Sequence, residues 1–255
     1  MQVARETTGG VAPPAAASQT GARRVRTLIG ATPGERAVTA LGLVTGVCML
    51  VTIWAILVAA PVDVVQGTPF RIFYFHVPVA WVTFLAFFIV FVASVAYLWR
   101  RDERWDWMAR AAAEVGTIFT TVTLITGSLW GRTIWGTWWT WDPRLTTTLI
   151  LWFIYVGYLM LRSYTGRTAS GARTAAVLGI VGFVDVPIDY LSVTWWRSLH
   201  PPTTYVQSGL PASAAGTLMF SLFTFTLLFS LLLVLAYQLQ RVQTGAEKLR
   251  GQAEG

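Results

Sequence analysis

Cysteine is almost absent from this chain of 255 residues: Cys48 stands alone, inside an apolar run. One thiol excludes an intramolecular disulfide, a Cys-x-x-Cys redox pair and a Cys-x-x-Cys-His cofactor-attachment motif. Lysine is as scarce, with Lys248 the only one. No Gly-x-x-x-x-Gly-Lys-Ser/Thr loop occurs, so the chain carries no P-loop for an ATP-driven motor. Charge of either sign is thin: Asp, Glu, Lys and Arg make up 12% of the residues, against roughly a quarter in soluble domains. Histidine occurs twice, at His76 and His200.

Apolar surface is abundant instead. Hydrophobic residues make up 55% of the chain and the mean hydropathy is +0.56, which together describe an all-α polytopic membrane protein. Residues 1–36 are rich in Ala, Gly, Pro, Thr and Arg, lack a long apolar run, and are expected to form a disordered tail. A six-helix membrane domain is expected over residues 37–240. Its first helix is the uncharged run 37–60, long enough to cross a hydrocarbon layer of roughly 30 Å and too long for a signal-peptide core. Further helices are expected over 77–99, 111–130, 143–161, 174–196 and 211–240, followed by a tail over 241–255. The fifth is the least regular, because Asp185, Pro187 and Asp189 interrupt its apolar run. Asp142 followed by Pro143 is a favourable N-cap and first helical residue, which fixes the start of the fourth.

Counting Lys and Arg along alternating sides of these helices gives a strong asymmetry. Only Arg71, Arg132, Arg144 and Arg197 of the 19 basic residues fall on one side. The positive-inside rule then places both termini in the cytoplasm and those four arginines outside. The net charge of +7 thus reads as membrane topology, and no nucleic-acid partner is expected. His76 and His200 both fall on the outer face, on either side of the stretch 130–146.

That stretch reads Trp-Gly-Arg-Thr-Ile-Trp-Gly-Thr-Trp-Trp-Thr-Trp-Asp-Pro-Arg-Leu-Thr. Trp130, Trp135, Trp138, Trp139 and Trp141 crowd a Gly-punctuated segment with neither helical nor strand periodicity, so it is expected to be an outer loop over 130–146. Interfacial aromatic belts are one source of such density. A platform for a flat, apolar, aromatic ligand is the other.

The two histidines favour the platform. Imidazole nitrogens from separate loops, facing each other over indoles, supply the two axial positions of a haem iron and apolar flanks for the macrocycle. Arg71, Arg132, Arg144 and Arg197 can pair bidentately with its two propionates. Trp135, Trp138, Trp139 and Trp141 fill the centre of the loop and are expected nearest the ligand. Asp142 reads first as a helix cap and second as a ligand or partner contact. Asp185 and Asp189, at i and i+4, suit a relay or a solvated helix end, Glu114 a pair with Arg110, and Cys48 a small core residue.

Residues 126–146, with Arg71-Ile-Phe-Tyr-Phe-His-Val-Pro78 and Ser192-Val-Thr-Trp-Trp-Arg-Ser-Leu-His200, resemble the tryptophan-rich haem-handling superfamily. Within it the C component of the bacterial cytochrome c maturation system is the nearest in pattern, over roughly residues 37–240. The resemblance implies a six-helix inner-membrane protein that binds haem b on its periplasmic face, with His76 and His200 as axial ligands. It also implies delivery of haem to a membrane-anchored periplasmic haem chaperone, a small assisting membrane subunit, an ABC transporter pair, and contact with membrane lipid. Superfamily members that attach haem to apocytochrome c are larger and carry a second pair of histidines. A loader without enzymatic activity therefore fits better than a haem lyase, the alternative. A solute channel and a docking scaffold are weaker alternatives. The long N-terminal tail and Asp189 depart from the family pattern.

Overall fold

A computed structural model describes residues 33–200 and 210–254. Among the described residues the regular elements are helices, six of them long and apolar enough to cross a membrane. The chain divides after Ala40 into two units. Of the first, the described part is the opening of helix α1 (Pro33–Trp54), where the Thr39 hydroxyl donates to the Glu35 carbonyl at 2.9 Å.

Within the second unit, α1 ends in a π-turn over Ala55–Ala59. A 3-10 turn (Thr68–Ile72) leads into α2 (Phe73–Arg100), and α3 (Glu103–Trp135), α4 (Pro143–Thr165), α5 (Ala169–Phe183), α6 (Asp185–Trp195) and α7 (Ala212–Glu254) follow. Caps mark the starts. Asp102, Asp142 and Thr168 each accept a backbone N–H of the first turn with a side-chain oxygen. Arg104 also donates to Asp102 from its side chain, and these bonds hold that carboxyl below its usual range.

Several boundaries differ from those the sequence suggests. Helix α3 begins at Glu103 and not at 111, and it continues through Trp135. Its charged first turns extend the helix past the apolar layer, so the end of the charged run does not mark its start. The Trp-rich loop is correspondingly shorter than 130–146: Trp130 and Trp135 are helical, and Gly136 ends the helix with a left-handed φ of 74°. Helix α2 begins at Phe73, which puts His76 in a first helical turn and not in a loop. The fifth span breaks at Val184. Pro187 lacks the N–H that would reach the Phe183 carbonyl, and its ring crowds that position. The expected tail over 241–255 is helical through Glu254. Lys248 pairs with Glu103 at 2.7 Å, and Arg167 pairs with Glu247 at 3.1 Å. Of the expected N-terminal tail, residues 33–36 are helical and the rest lies outside the described residues.

Small residues set how closely these helices approach. Ala109, Ala112, Ala113 and Gly116 form one stripe on α3 and are buried against α2. A Cβ at Gly116 would sit 2.8 Å from Ala86 Cβ. Helix α5 is clamped likewise, since a Cβ at Gly182 would lie 2.5 Å from Ile154 Cγ2 of α4. In lipid, where burial of apolar side chains drives little, such close contact supplies much of the association energy. Phe87 of α2 and Tyr155 of α4 stack at 3.6 Å in the centre. Glu114 accepts from Arg110 at 3.1 Å, as expected, and also from Gln240 of α7 at 2.9 Å. At one membrane end, the start of α2, the end of α3, the start of α4 and the end of α6 converge.

Candidate functional site

Each wall of this convergence is positioned by a short polar tie. Before the 3-10 turn, Asp63 Oδ1 accepts the backbone N–H groups of Val65 and Gln66 at 2.9 and 2.7 Å. Gln66 Oε1 in turn accepts the indole N–H of Trp130 at 3.0 Å. This fixes Trp130 edge-on to His76, with ring centroids 5.8 Å apart.

His76 is 7% exposed, and its Nδ1 lies 3.0 Å from Thr126 Oγ1. The Thr126 hydroxyl has one proton, and it donates that to the Val122 carbonyl at 2.7 Å. With its proton on that carbonyl, Thr126 can accept from Nδ1–H, the tautomer of a neutral imidazole that leaves Nε2 with its lone pair. Gly127 makes room for the ring: a Cβ there would meet His76 Cε1 at 3.0 Å.

His200 sits in the segment after α6, which Asp142 holds. Asp142 Oδ1 accepts from the Ser198 hydroxyl at 3.0 Å and Oδ2 from the Leu199 N–H at 2.7 Å. Ser198 Oγ accepts the His200 N–H at 3.0 Å. Asp142 thus caps α4, as expected, and its remaining contacts go to the chain's own segment after α6; it does not line the cavity between His76 and His200. The imidazoles of His76 and His200 stand with centroids 6.3 Å apart, tilted by 37°, and Trp135 lies edge-on to His200 at 6.5 Å.

Between these groups lies a cavity of about 360 Å³, within the range of roughly 300–1,000 Å³ usual for small-molecule sites. It brings together His76, His200, Trp130, Trp135, Trp139 and Arg144, with Phe70, Phe73, Trp81, Phe84 and Tyr190 as further aromatic wall. Arg144 is held by Asp189, whose Oδ1 lies 3.5 Å from its Nε, and by the Tyr190 carbonyl at 3.1 Å. Asp189 is 1% exposed and accepts from Thr147 at 2.7 Å and from Thr148 at 3.1 Å. It is a buried counter-ion, not a solvated helix end.

Other predicted residues stay outside the lining. Trp138 and Trp141 are 58% and 77% exposed. Arg132 is exposed and donates to the Gly136 carbonyl, Arg197 is exposed, and Arg71 is half-buried with its Nε unpartnered. Asp185 is not brought to the site. Sequence reasoning missed Gln66, Trp81 and Thr126 as site residues. Thr123, Gly127, Trp130 and Ile134 follow i, i+4, i+7, i+11 and all line the cavity, a helical stripe visible once α3 is continued through residue 135.

A sequence profile for Heme exporter protein C matches residues 29–253. The chain belongs to that family. Relatives include Heme exporter protein C of Bradyrhizobium diazoefficiens, 42% identical over 173 residues, 67% of this chain and 66% of that protein. The Escherichia coli K12 protein of that name is 39% identical over 171 residues, 66% of this chain and 69% of its own length. The Haemophilus influenzae protein is 36% identical over 200 residues, 77% of this chain and 80% of its own. Membership in the family and six membrane-crossing helices identify a multi-pass membrane protein with a role in haem handling for cytochrome c maturation.

Proposed function

We propose that this protein binds haem b, as cargo, in the cavity between His76 and His200 and hands it to a membrane-anchored periplasmic chaperone. The observation that carries the reading is the pair of imidazoles 6.3 Å apart over an aromatic wall. Two imidazoles on opposite sides of one metal, each with nitrogen about 2 Å from it and a ring radius of about 1.1 Å, have centroids roughly 6.2 Å apart. Among the described residues no group of three His, Cys, Asp or Glu could hold a bare metal ion. A two-nitrogen set suits an iron whose in-plane positions a macrocycle already fills.

The chain's own groups then have distinct tasks. Thr126 keeps His76 Nε2 unprotonated, Asp142 holds the His200 segment, and Trp130, Trp135 and Trp139 offer apolar faces to the macrocycle. Arg144, fixed by Asp189, supplies a cation for a propionate; Arg71, Arg132 and Arg197 contribute positive potential at the rim. Haem supplies the iron and the porphyrin, and nothing in the site demands bond-making by the protein, so delivery is favoured over lyase activity. By the positive-inside count, the site faces the periplasm from the inner membrane. A small membrane subunit and an ABC transporter pair would act with it.

The test is the visible absorption spectrum of the detergent-purified protein, co-produced with its chaperone, for the native chain and for His76→Ala and His200→Ala. A low-spin six-coordinate haem is expected in the native protein, lost or converted to high spin in both variants. A native protein free of haem, under conditions that load the chaperone, would make the aromatic face a docking surface instead.

A further inference from the structure

The apolar run of helix α7 ends near Gln238, and from there to Glu254 the helix carries Gln240, Arg241, Gln243, Glu247, Lys248 and Arg250. This stretch, about 25 Å long, continues one unbroken helix, so it projects from the membrane instead of turning to lie along its surface. One face of it is docked on the chain itself. Gln240 and Thr244 are buried there, Gln240 donating to Glu114 at 2.9 Å and Thr244 accepting from Arg167 at 3.0 Å, and Lys248 pairs with Glu103.

The opposite face is apolar and uncovered. Leu235, Leu239, Val242, Ala246, Leu249 and Ala253 recur at alternating steps of four and three, the spacing of the a and d positions of a coiled coil. At 3.6 residues per turn this row lies across the helix from Gln240 and Thr244. Leu235, Leu239, Val242 and Leu249 are between 45% and 68% exposed, and both alanines are exposed as well. Within the bilayer lipid would cover such a row. Past Gln238 the same row meets water, where a contiguous apolar stripe flanked by polar residues marks a protein contact.

We propose that this row pairs with the same row of a second copy of the chain, as a short parallel two-stranded coiled coil outside the bilayer. Two copies in one membrane share one orientation, so their α7 extensions are parallel and level with each other, and a stripe of this kind can meet itself about a two-fold axis. The flanking positions suit self-pairing. Gln238, Gly245 and Gln252 stand at g, and Gln243 and Arg250 at e. Arg250 is the only charged residue among them, and in a parallel pair it faces Gly245 of the second copy, so no like charges meet. Ala246 beside Gly245 lets the two backbones approach closely. The row spans fewer than three heptads, too few to hold two free peptides together, but its membrane anchor supplies a high effective concentration.

The test is disulfide cross-linking of the full chain in isolated membranes, in a Cys48→Ser background, with copper phenanthroline as oxidant. Ala246→Cys and Leu249→Cys, on the row, should give covalent dimers of twice the chain's mass. Arg241→Cys and Gly251→Cys, exposed but off the row, should stay monomeric. Val242→Asp, added to the Leu249→Cys chain, should cut the dimer yield by about tenfold or more, the scale of losing a central interface residue. Val242 and Leu249 are solvent-exposed, so these substitutions leave the fold intact. Equal cross-linking on and off the row, a yield that Val242→Asp does not change, or products only with a chain of another mass would each overturn self-pairing.

Discussion

With its one proton on the Val122 carbonyl, the Thr126 hydroxyl meets His76 Nδ1 with a lone pair, and in that tautomer a side chain with no metal to touch leaves the other imidazole nitrogen open. Replacing Thr126 by Val keeps the shape but leaves the buried Nδ1–H without an acceptor. Haem affinity should then fall about tenfold or more, the usual consequence of losing the partner of a ligating histidine. Thr126→Ser should retain most of it, and equal titration curves for the Val and native proteins would disprove the tautomer assignment. His76 was legible because histidine is so rare here, whereas Thr126 is one of many threonines and gains its role only through the packing of α3 on α2.

Small residues govern the elements in the same way that Thr126 governs the ring. Gly116 lets α3 lie against Ala86 and Phe87 of α2, and that contact sets the spacing between His76 on one helix and Trp130 and Trp135 on the other. Gly116→Leu should lower stability by about 1–3 kcal/mol, the range for overpacking a filled contact. It should also reduce haem occupancy measured by absorbance, despite lying far from the cavity. At this scale the six spans were legible, because uncharged runs of membrane length admit few other readings. Their ends were not. Charged turns at Glu103–Arg110 and the helix-forming residues beyond 240 continue helices past the apolar layer, where hydropathy stops reporting. That shift decided the tryptophans as well: once α3 runs through Trp135, Trp130 and Trp135 face inward, and Trp138 and Trp141 are left on the exposed turn.

For the molecule as a whole, the placement of basic residues predicts one orientation by the positive-inside rule. In a Cys48→Ser background, Val64→Cys, on the loop after α1, should react with a membrane-impermeant thiol reagent in intact cells. Gly251→Cys, near the end of α7, should react only after permeabilisation. The reverse pattern would invert the topology and, with it, the side of the membrane on which His76 and His200 lie. Helix α7, at 43 residues, is about 65 Å long, roughly twice the hydrocarbon thickness, so the tagged end stands well clear of the bilayer.

The carboxylate of Asp142 joins two of these scales. Its oxygens start α4 and also hold Ser198 and Leu199, two residues and one residue before His200, so the segment bearing His200, a proposed axial ligand, is fastened to the fourth span by bonds that can open while the helix stays capped. If His200 ligates haem as proposed, this is in kinetic language a latch whose strength would set the dwell time of the cargo. Asn at this position still caps a helix, but its amide nitrogen has no lone pair for the Leu199 N–H. Asp142→Asn should therefore leave the melting temperature close to native while haem transfer to an apo-haem scavenger quickens by about tenfold, the worth of one hydrogen bond to a charged group. An unchanged release rate would show that departure of the cargo is limited elsewhere.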